Sequence, residues 1–583
     1  MNTIGFKNFR RFANFPEIDF GDVTILVGGN NSGKSTLVKA LLLCVDNLRL
    51  MNMEDYRGEE SKSPLSFNKP LFRFDANKYH DVKIKEFTRA IHNKPIEDDA
   101  LSAIINNGNK SLPTTIIFNF TLGQFHFTFH VSGDRDERST TGDVDCIVIE
   151  DTKLHVRYTN DYAHHKMSYE VLSTNFEEQN IVAQKLVEDL KETEDALNKA
   201  NKEGDLEAIT SITTALDKIK MQIRAILDKD EEELSEEDLT KILAKDSWHN
   251  HKSVRISYEE LPLEIVYNEI AEPVVLNVIS NIYNFAITKG VAPKEKKNVD
   301  PEEYALDMQY YSKVEDYRKA MALDKDIFIQ SRRGLEQLLA GLVVEYISAH
   351  AANQNTLYNT ADENNYIAQI VHNFWREKIN PGDREYEFMR EWMQKFEIGV
   401  DFRIEALVPG EAYTVVIKEE DDNWVPLADK GMGSIQMMIL LLRLATILYK
   451  YKPQSTTDSR NWFSPVIVIE EPEQNLHPKM QSYLADLFYY LASCENCKFL
   501  IETHSEYLVR KSQVIVSDEN FTDEVELNEN NKFKVYYLPS DGSAPYGMQY
   551  TLSGRFTNKF GEGFFDEAGK ANLVTLRKAK GLK

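Results

Sequence analysis

The chain has 583 residues, 42% hydrophobic and 28% charged, a globular composition that excludes collagenous, mucin-like and wholly disordered chains. Its 93 acidic residues outnumber 68 basic ones, and the formal charge of −25 excludes a general nucleic-acid coat, because phosphate binding is driven by Lys and Arg releasing counterions. Four cysteines are too few for a disulfide-built secreted fold, and the length predicts about three or four folding units.

From the N-terminus, alternating apolar residues predict strands at 3–9, 17–20 and 23–27. A helix follows from about Lys34 to Leu48, with Leu37, Ala40, Leu41 and Val45 at core spacing. Residues 53–112 are polar and irregular and read as an insertion with one or two short helices. From Thr114 to Tyr158 several β-rich runs follow one another with no helical pattern between them, as in an antiparallel sheet.

The pattern then changes. Val182, Leu186, Leu190, Thr193 and Leu197 form one apolar stripe, and Ile209, Ile212, Leu216, Ile219, Ile223 and Ile226 a second with heptad spacing. Joined by a turn at 201–205, they predict an antiparallel helical hairpin whose arms reach about 30–38 Å. The alternative is a pair of amphipathic helices on the globular body. Residues 260–400 read as mostly helical; strands return at 401–407 and 413–418. A long helix (435–449), a buried strand (465–469), a helix (480–492) and a strand (499–501) then predict a parallel α/β unit. A last strand, 533–538, precedes an aromatic segment and a basic end. The expected division is 1–170, 171–245 (hairpin), 246–400 (helical), 401–510 and 511–583.

The strongest motif is Gly28-Gly-Asn30-Asn31-Ser32-Gly33-Lys34-Ser35-Thr36, set between a hydrophobic strand and a helix. Glycines let such a loop turn its amides inward, and the helix N-terminus adds partial positive charge, so a triphosphate is cradled. Lys34 is expected to reach the β- and γ-phosphates of ATP, and Ser35 to offer its hydroxyl to Mg²⁺. The second motif, Val466-Ile-Val-Ile-Glu470-Glu471-Pro-Glu473 followed by Leu476-His477-Pro, delivers acids to the tip of a buried strand. Glu470 is expected on the metal side, and Glu471 beside the attacking water. Arg10 and Arg11 are candidates for nucleotide contact from the first strand.

With Gly431-Met-Gly433-Ser434 at a helix start and Thr503-His504-Ser505 after a strand, the chain resembles the ABC-type ATPases of the SMC/RecF/OLD group. The resemblance covers residues 1–50 and 400–510, and the middle by topology. It implies an ABC-type head, a mixed sheet core plus an antiparallel β lobe, with an inserted coiled-coil hairpin. It implies that Gly431, Gly433 and Ser434 cap the γ-phosphate of ATP held by another copy, that His504 contacts the γ-phosphate, and that 473–477 communicates across the dimer. Members often carry Ser where Met432 stands, and Asp where Glu470 stands; many with the Glu-Glu-Pro-Glu form share the Glu, which is compatible with slow turnover.

No Asp-x-Asp pair follows His504, so any cutting of nucleic acid is expected from a separate effector, a nuclease, and nucleic acid is expected as an indirect partner. The ending resembles stand-alone ATPases of phage-defence operons, of the Septu-like and PARIS types. The alternative is a DNA-repair or chromosome-associated ATPase that binds DNA itself. Met1–Lys7 lacks the basic start and apolar core of a signal peptide. The longest apolar run, 437–449, is broken by Arg443 and short of a bilayer span. A cytoplasmic protein without a membrane partner is therefore expected.

Overall fold

Phenylalanines at every third position bring the first two strands together. In β1 (Thr3–Phe9) and β2 (Phe12–Asp19), Phe6 stacks on Phe15 at 4.6 Å and meets Phe9 and Phe12 edge-on. The computed structural model describes residues 2–50, 71–75, 84–95, 114–133, 138–151, 154–161, 166–174, 190, 193, 196–197, 212–220, 254–257, 325–348, 358–359, 366–408, 411–451, 464–561 and 564–579. Of the expected hairpin at 171–245, residues 171–174 belong to a strand and 212–220 are helical, and most of the rest lies outside these residues, as do most of 53–112 and all of 258–324.

β3 (Val23–Val27) leaves the hairpin for a second sheet, while β4 (Leu71–Arg73), β5 (Thr114–Leu122), β6 (Phe125–Gly133), β7 (Thr141–Glu150), β8 (Leu154–Asp161), β9 (Lys166–Thr174) and β10 (Val254–Ser257) extend the first. The order is β10-β9-β8-β7-β6-β5-β1-β2, with β4 on β7, antiparallel throughout. In β6, Phe125, Phe127 and Phe129 turn to the buried face, because successive side chains of a strand alternate. That face and the helix α1 (Lys34–Leu50) share one core. Strands β4, β9 and β10 fall in stretches for which the sequence predicts none; their pairing partners, not their own pattern, make them strands.

The second sheet runs β11-β16-β17-β3-β18-β19, formed by β11 (Val344–Ile347), β16 (Val466–Glu470), β17 (Lys498–Glu502), β18 (Phe533–Tyr537) and β19 (Tyr546–Met548). All pairs are parallel except β18 with β19. Each residue of β3 is buried, because both faces are covered. Leu26, Val468 and Leu500 face the α1 core; Val23, Ile25, Val27, Ile467, Ile469 and Ile501 face a second core. The edge strand β11 corrects the helical expectation there: Val344 to Ile347 find an apolar neighbour in β16. It follows α2 (Phe87–Ala90) and α3 (Lys325–Gly341) in the chain.

The second core is built by α4 (Tyr366–Arg376), α5 (Arg384–Lys395), α6 (Met432–Lys450), α7 (Pro478–Cys494) and α8 (Glu506–Asp518). A small sheet of β12 (Tyr358–Asn359), β13 (Asp401–Val408), β14 (Ala412–Lys418) and β15 (Trp424–Pro426) lies beside it. Helix α6 starts at Met432, three residues before its expected start. At 19 residues it is long and apolar enough to cross a membrane, yet two thirds of it is buried as the central helix of this core. Past α9 (Glu524–Asn530), Tyr537 gathers Tyr546, Phe560 and Phe564, and α10 (Glu567–Ala579) closes the described chain. The mixed α/β fold with an antiparallel lobe is thus as expected.

Candidate active site

β3 ends at Val27, and Gly28–Gly33 turns the chain into α1. Gly33 has φ +108°, and a Cβ there would lie 2.3 Å from the ring of buried Phe12. At Gly28 a Cβ would lie 2.4 Å from the Leu538 carbonyl oxygen. Inside the loop, Ser32 N donates to Gly29 O at 3.2 Å and Thr36 N to Gly33 O at 2.9 Å. Leu37 N shares Gly33 O with Thr36 N, which leaves the Lys34 and Ser35 amides as the ones at the start of α1 without an acceptor in the turn. Gly33→Ala is expected to cost about 1–3 kcal/mol in chemical denaturation and to weaken ATP binding in titration, since strain and overlap both oppose the loop's shape.

Lys34 is buried, and its Nζ donates to Gly28 O (3.0 Å) and Gly29 O (3.3 Å). The same Nζ sits 3.2 Å from His504 Nε2 and 3.9 Å from Glu502 Oε1. Burial pulls the Lys34 ammonium below its ordinary pKa, and Glu502, Glu471 and Glu473 oppose that shift. An ammonium only donates, so His504 Nε2 accepts and its imidazole is neutral. Burial and Lys34 hold the imidazole down; Glu471 pulls it up.

Two strand tips supply the acids. Glu470 closes β16 and is the register partner of Glu502, which closes β17. Glu502 is 5% exposed; its Oε1 accepts the Ser35 hydroxyl at 2.9 Å, and its Oε2 is buried without a partner. Burial, with the charge of Glu470 added, pushes Glu502 up to about 7 against the pull of Lys34 and Ser35. Glu471 takes a left-handed backbone (φ +45°), and its amide donates to Glu502 O at 2.7 Å. That corner turns its side chain toward Gln474 Nε2 and puts Oε1 3.7 Å from His504 Nε2. Buried Glu473 accepts the His504 amide at 2.6 Å and is raised by its burial.

Gly431, Gly433 and Ser434 stand apart from the phosphate loop's cleft and do not line it. Gly431 caps α6 from an exposed position with open space around it. Gly433 is pressed on the acidic loop: a Cβ would lie 2.7 Å from Asn475 O, and Asn475 Nδ2 donates to Gln436 Oε1 at 3.1 Å. His477 caps α7, with Nδ1 accepting the Lys479 amide.

Over the phosphate loop opens a cleft of about 1100 Å³, lined by Asn30 to Thr36 and walled by Arg10, Arg11, Lys39 and Arg89. On a chain of net charge −25 this is a concentrated positive surface. Burial and the neighbouring Arg89 charge both lower the Arg10 pKa, a crowding that an anion relieves. The loop after β18 forms the far wall, where Ser540 O accepts from Arg11 at 3.2 Å.

A protein family described as "AAA ATPase domain" matches residues 1–509. The chain belongs to that family. Solved structures similar to this AAA ATPase domain protein include the Smc head domain of Pyrococcus furiosus with an extended coiled coil, bound to the C-terminal domain of ScpA, at 10% identity over 99% of each chain and a TM-score of 0.28. The SMC head domain from Thermotoga maritima is similar at 11% identity, over 94% of this chain and 98% of that one, with a TM-score of 0.29. No curated protein matches the sequence. The family match ends before β18, although β18 pairs with the strand that leads into the phosphate loop.

Magnesium fits the donors of this AAA ATPase domain: a serine hydroxyl and carboxylates are hard oxygen ligands, and Glu502 Oε2 is a buried oxygen lacking a partner. Among the described residues no cluster of three or more His, Cys, Asp or Glu forms a ready metal cage. A magnesium site completed by phosphate and water needs none. Cys494 and Cys497 form no part of the site; burial pushes the Cys497 thiol up to about 12, far from a reactive thiolate.

Sequence reasoning does not single out Glu502, Lys39, Arg89 or Ser540–Gly542. Glu502 carries the same signal as Glu470, an apolar strand ending in an acid. Lys39 arrives on α1 just beyond the phosphate loop, while Arg89 and Ser540–Gly542 are brought in by pairings with β1 and β3 that no local pattern marks.

Proposed function

We propose that the protein is an ABC-type ATPase that dimerises around two ATP molecules and couples their turnover to a separate effector. The supporting observation is a connected set around Lys34: His504 and through it Glu471 on one side, Glu502 and through it Ser35 on the other. Gly431 meanwhile stays exposed, open to a second molecule. In this reading Asn30 to Thr36 hold the phosphates, with Lys34 exchanging the Gly28 and Gly29 carbonyls for phosphate oxygens. Ser35 and Glu470 would hold Mg²⁺, which when bound neutralises phosphate charge.

Glu471 accepts a proton from the water whose oxygen attacks the γ-phosphorus; the bond to the β-phosphate oxygen breaks, and ADP leaves. His504, held by Glu473 through its backbone amide, donates from Nε2 to the γ-phosphate once Lys34 has turned to the phosphates and that nitrogen carries the hydrogen. Gly431, Gly433 and Ser434 present the N-terminus of α6 to the γ-phosphate of the partner copy's ATP, so closure needs two chains. The effector role, a nuclease partner in bacterial anti-phage defence, is supported by the resemblance of the C-terminal segment. A cytoplasmic location accompanies it.

Steady-state phosphate release is expected to need Mg²⁺. Analytical ultracentrifugation is expected to show dimers or larger assemblies with ATP that revert with ADP. Magnesium-independent release, or sedimentation indifferent to nucleotide, overturns the proposal.

A further inference from the structure

We propose that Glu502 is a positioning residue of the magnesium side: it accepts the hydrogen bond of the Ser35 hydroxyl so that the serine oxygen presents its lone pairs to the ion, and its second oxygen holds a water of the ion's hydration shell. The inference rests on the nucleotide–magnesium reading of the site and adds to it a residue and a role.

Three observations converge. First, the Ser35 hydroxyl donates to Glu502 Oε1 at 2.9 Å. A hydroxyl that ligates a cation does so through oxygen, so its hydrogen must go to an acceptor, and partners of this kind orient metal ligands. Second, Glu502 Oε2 is buried with no hydrogen-bond partner on a residue 5% exposed that lines the cleft. A buried carboxylate oxygen left unsatisfied is costly, and a metal-bound water is a strong donor that satisfies it. Third, Glu502 is the register partner of Glu470, so the tips of adjacent parallel strands carry two carboxylates side by side. Glu470 and Glu471 both press their charge on Glu502 against the single ammonium of Lys34, an excess that a divalent ion offsets. Mg²⁺ keeps several waters when bound, so it suits a site of one or two direct ligands with acceptors behind them.

The test is Glu502→Gln in the full chain, which keeps size and an acceptor for Ser35 but loses the charge. Binding of a fluorescent non-hydrolysable ATP analogue is titrated with Mg²⁺, and separately in EDTA. The Mg²⁺ concentration for half-maximal binding is expected to rise about 10–100-fold, while affinity in EDTA changes less than about twofold. Glu502→Asp is expected to recover part of the shift. Electron paramagnetic resonance with Mn²⁺ in place of Mg²⁺ is expected to show weaker ion binding by Glu502→Gln at saturating nucleotide. An unchanged Mg²⁺ half-point overturns the proposal; so does an equal loss in EDTA, which assigns Glu502 to support of the loop alone. A parent protein that binds no analogue under any condition overturns the underlying nucleotide reading instead.

Discussion

Lys34→Ala is expected to weaken ATP binding about 100-fold or more, with turnover lost in parallel. Removing one partner from a buried, hydrogen-bonded charged group costs about 3–5 kcal/mol, and each 1.4 kcal/mol is about tenfold in affinity. Lys34 is 3% exposed and holds the Gly28 and Gly29 carbonyls, so its loss also unties the loop that forms the cradle. Isothermal titration with ATP reads the binding term, and thermal unfolding of the same samples reads the structural one. Lys34→Met keeps most of the apolar stem and separates charge from packing. Retention of ATP affinity within about threefold by either variant removes Lys34 from the phosphate site.

Glu471→Gln is expected to slow phosphate release about 10²–10⁴-fold while ATP binding persists, the range carried by a positioned general base. The amide is isosteric and keeps the left-handed corner, the Glu502 carbonyl contact and the reach to Gln474. What disappears is the capacity to accept a proton. ATP-loaded assemblies are therefore expected to accumulate, visible in light scattering as a mass that no longer decays as ATP is consumed. Parent-like turnover would transfer the role of base to another residue.

How far the sequence discloses this site depends on the kind of signal. The phosphate loop and the Glu470–Glu471 corner are local patterns, where strand, turn and acid follow one another, and both are legible in the order of amino acids alone. The start of α6 lies earlier than its apolar spacing predicts because Gly431, not Ser434, takes the extended cap conformation. Arg89 and Ser540 are different: each reaches the cleft only through pairings with distant strands, and no window of residues contains that information. Strand β11 escapes sequence reading for the same reason, since Val344 to Ile347 is too short to declare its period and becomes a strand by lying along β16. The acid pattern that reveals Glu470 applies equally to Glu502. There a single acid closes the strand, and the more distinctive Thr503-His504-Ser505 follows at once and masks it.

The position of β3 has a consequence for how the molecule is made. Its neighbours, Phe499 to Glu502 on one side and Phe533 to Tyr537 on the other, are synthesised long after it. At about 5–20 residues per second, a ribosome delivers the first of these partners roughly 25–95 s after β3. Through that interval a five-residue apolar ribbon with open edges must be shielded, because unpaired edges seek any available strand. Nascent chains stalled before residue 498 are therefore the dangerous ones in the cell, prone to clump or to occupy chaperones, until β17 and β18 close both edges of the strand that leads into the phosphate loop.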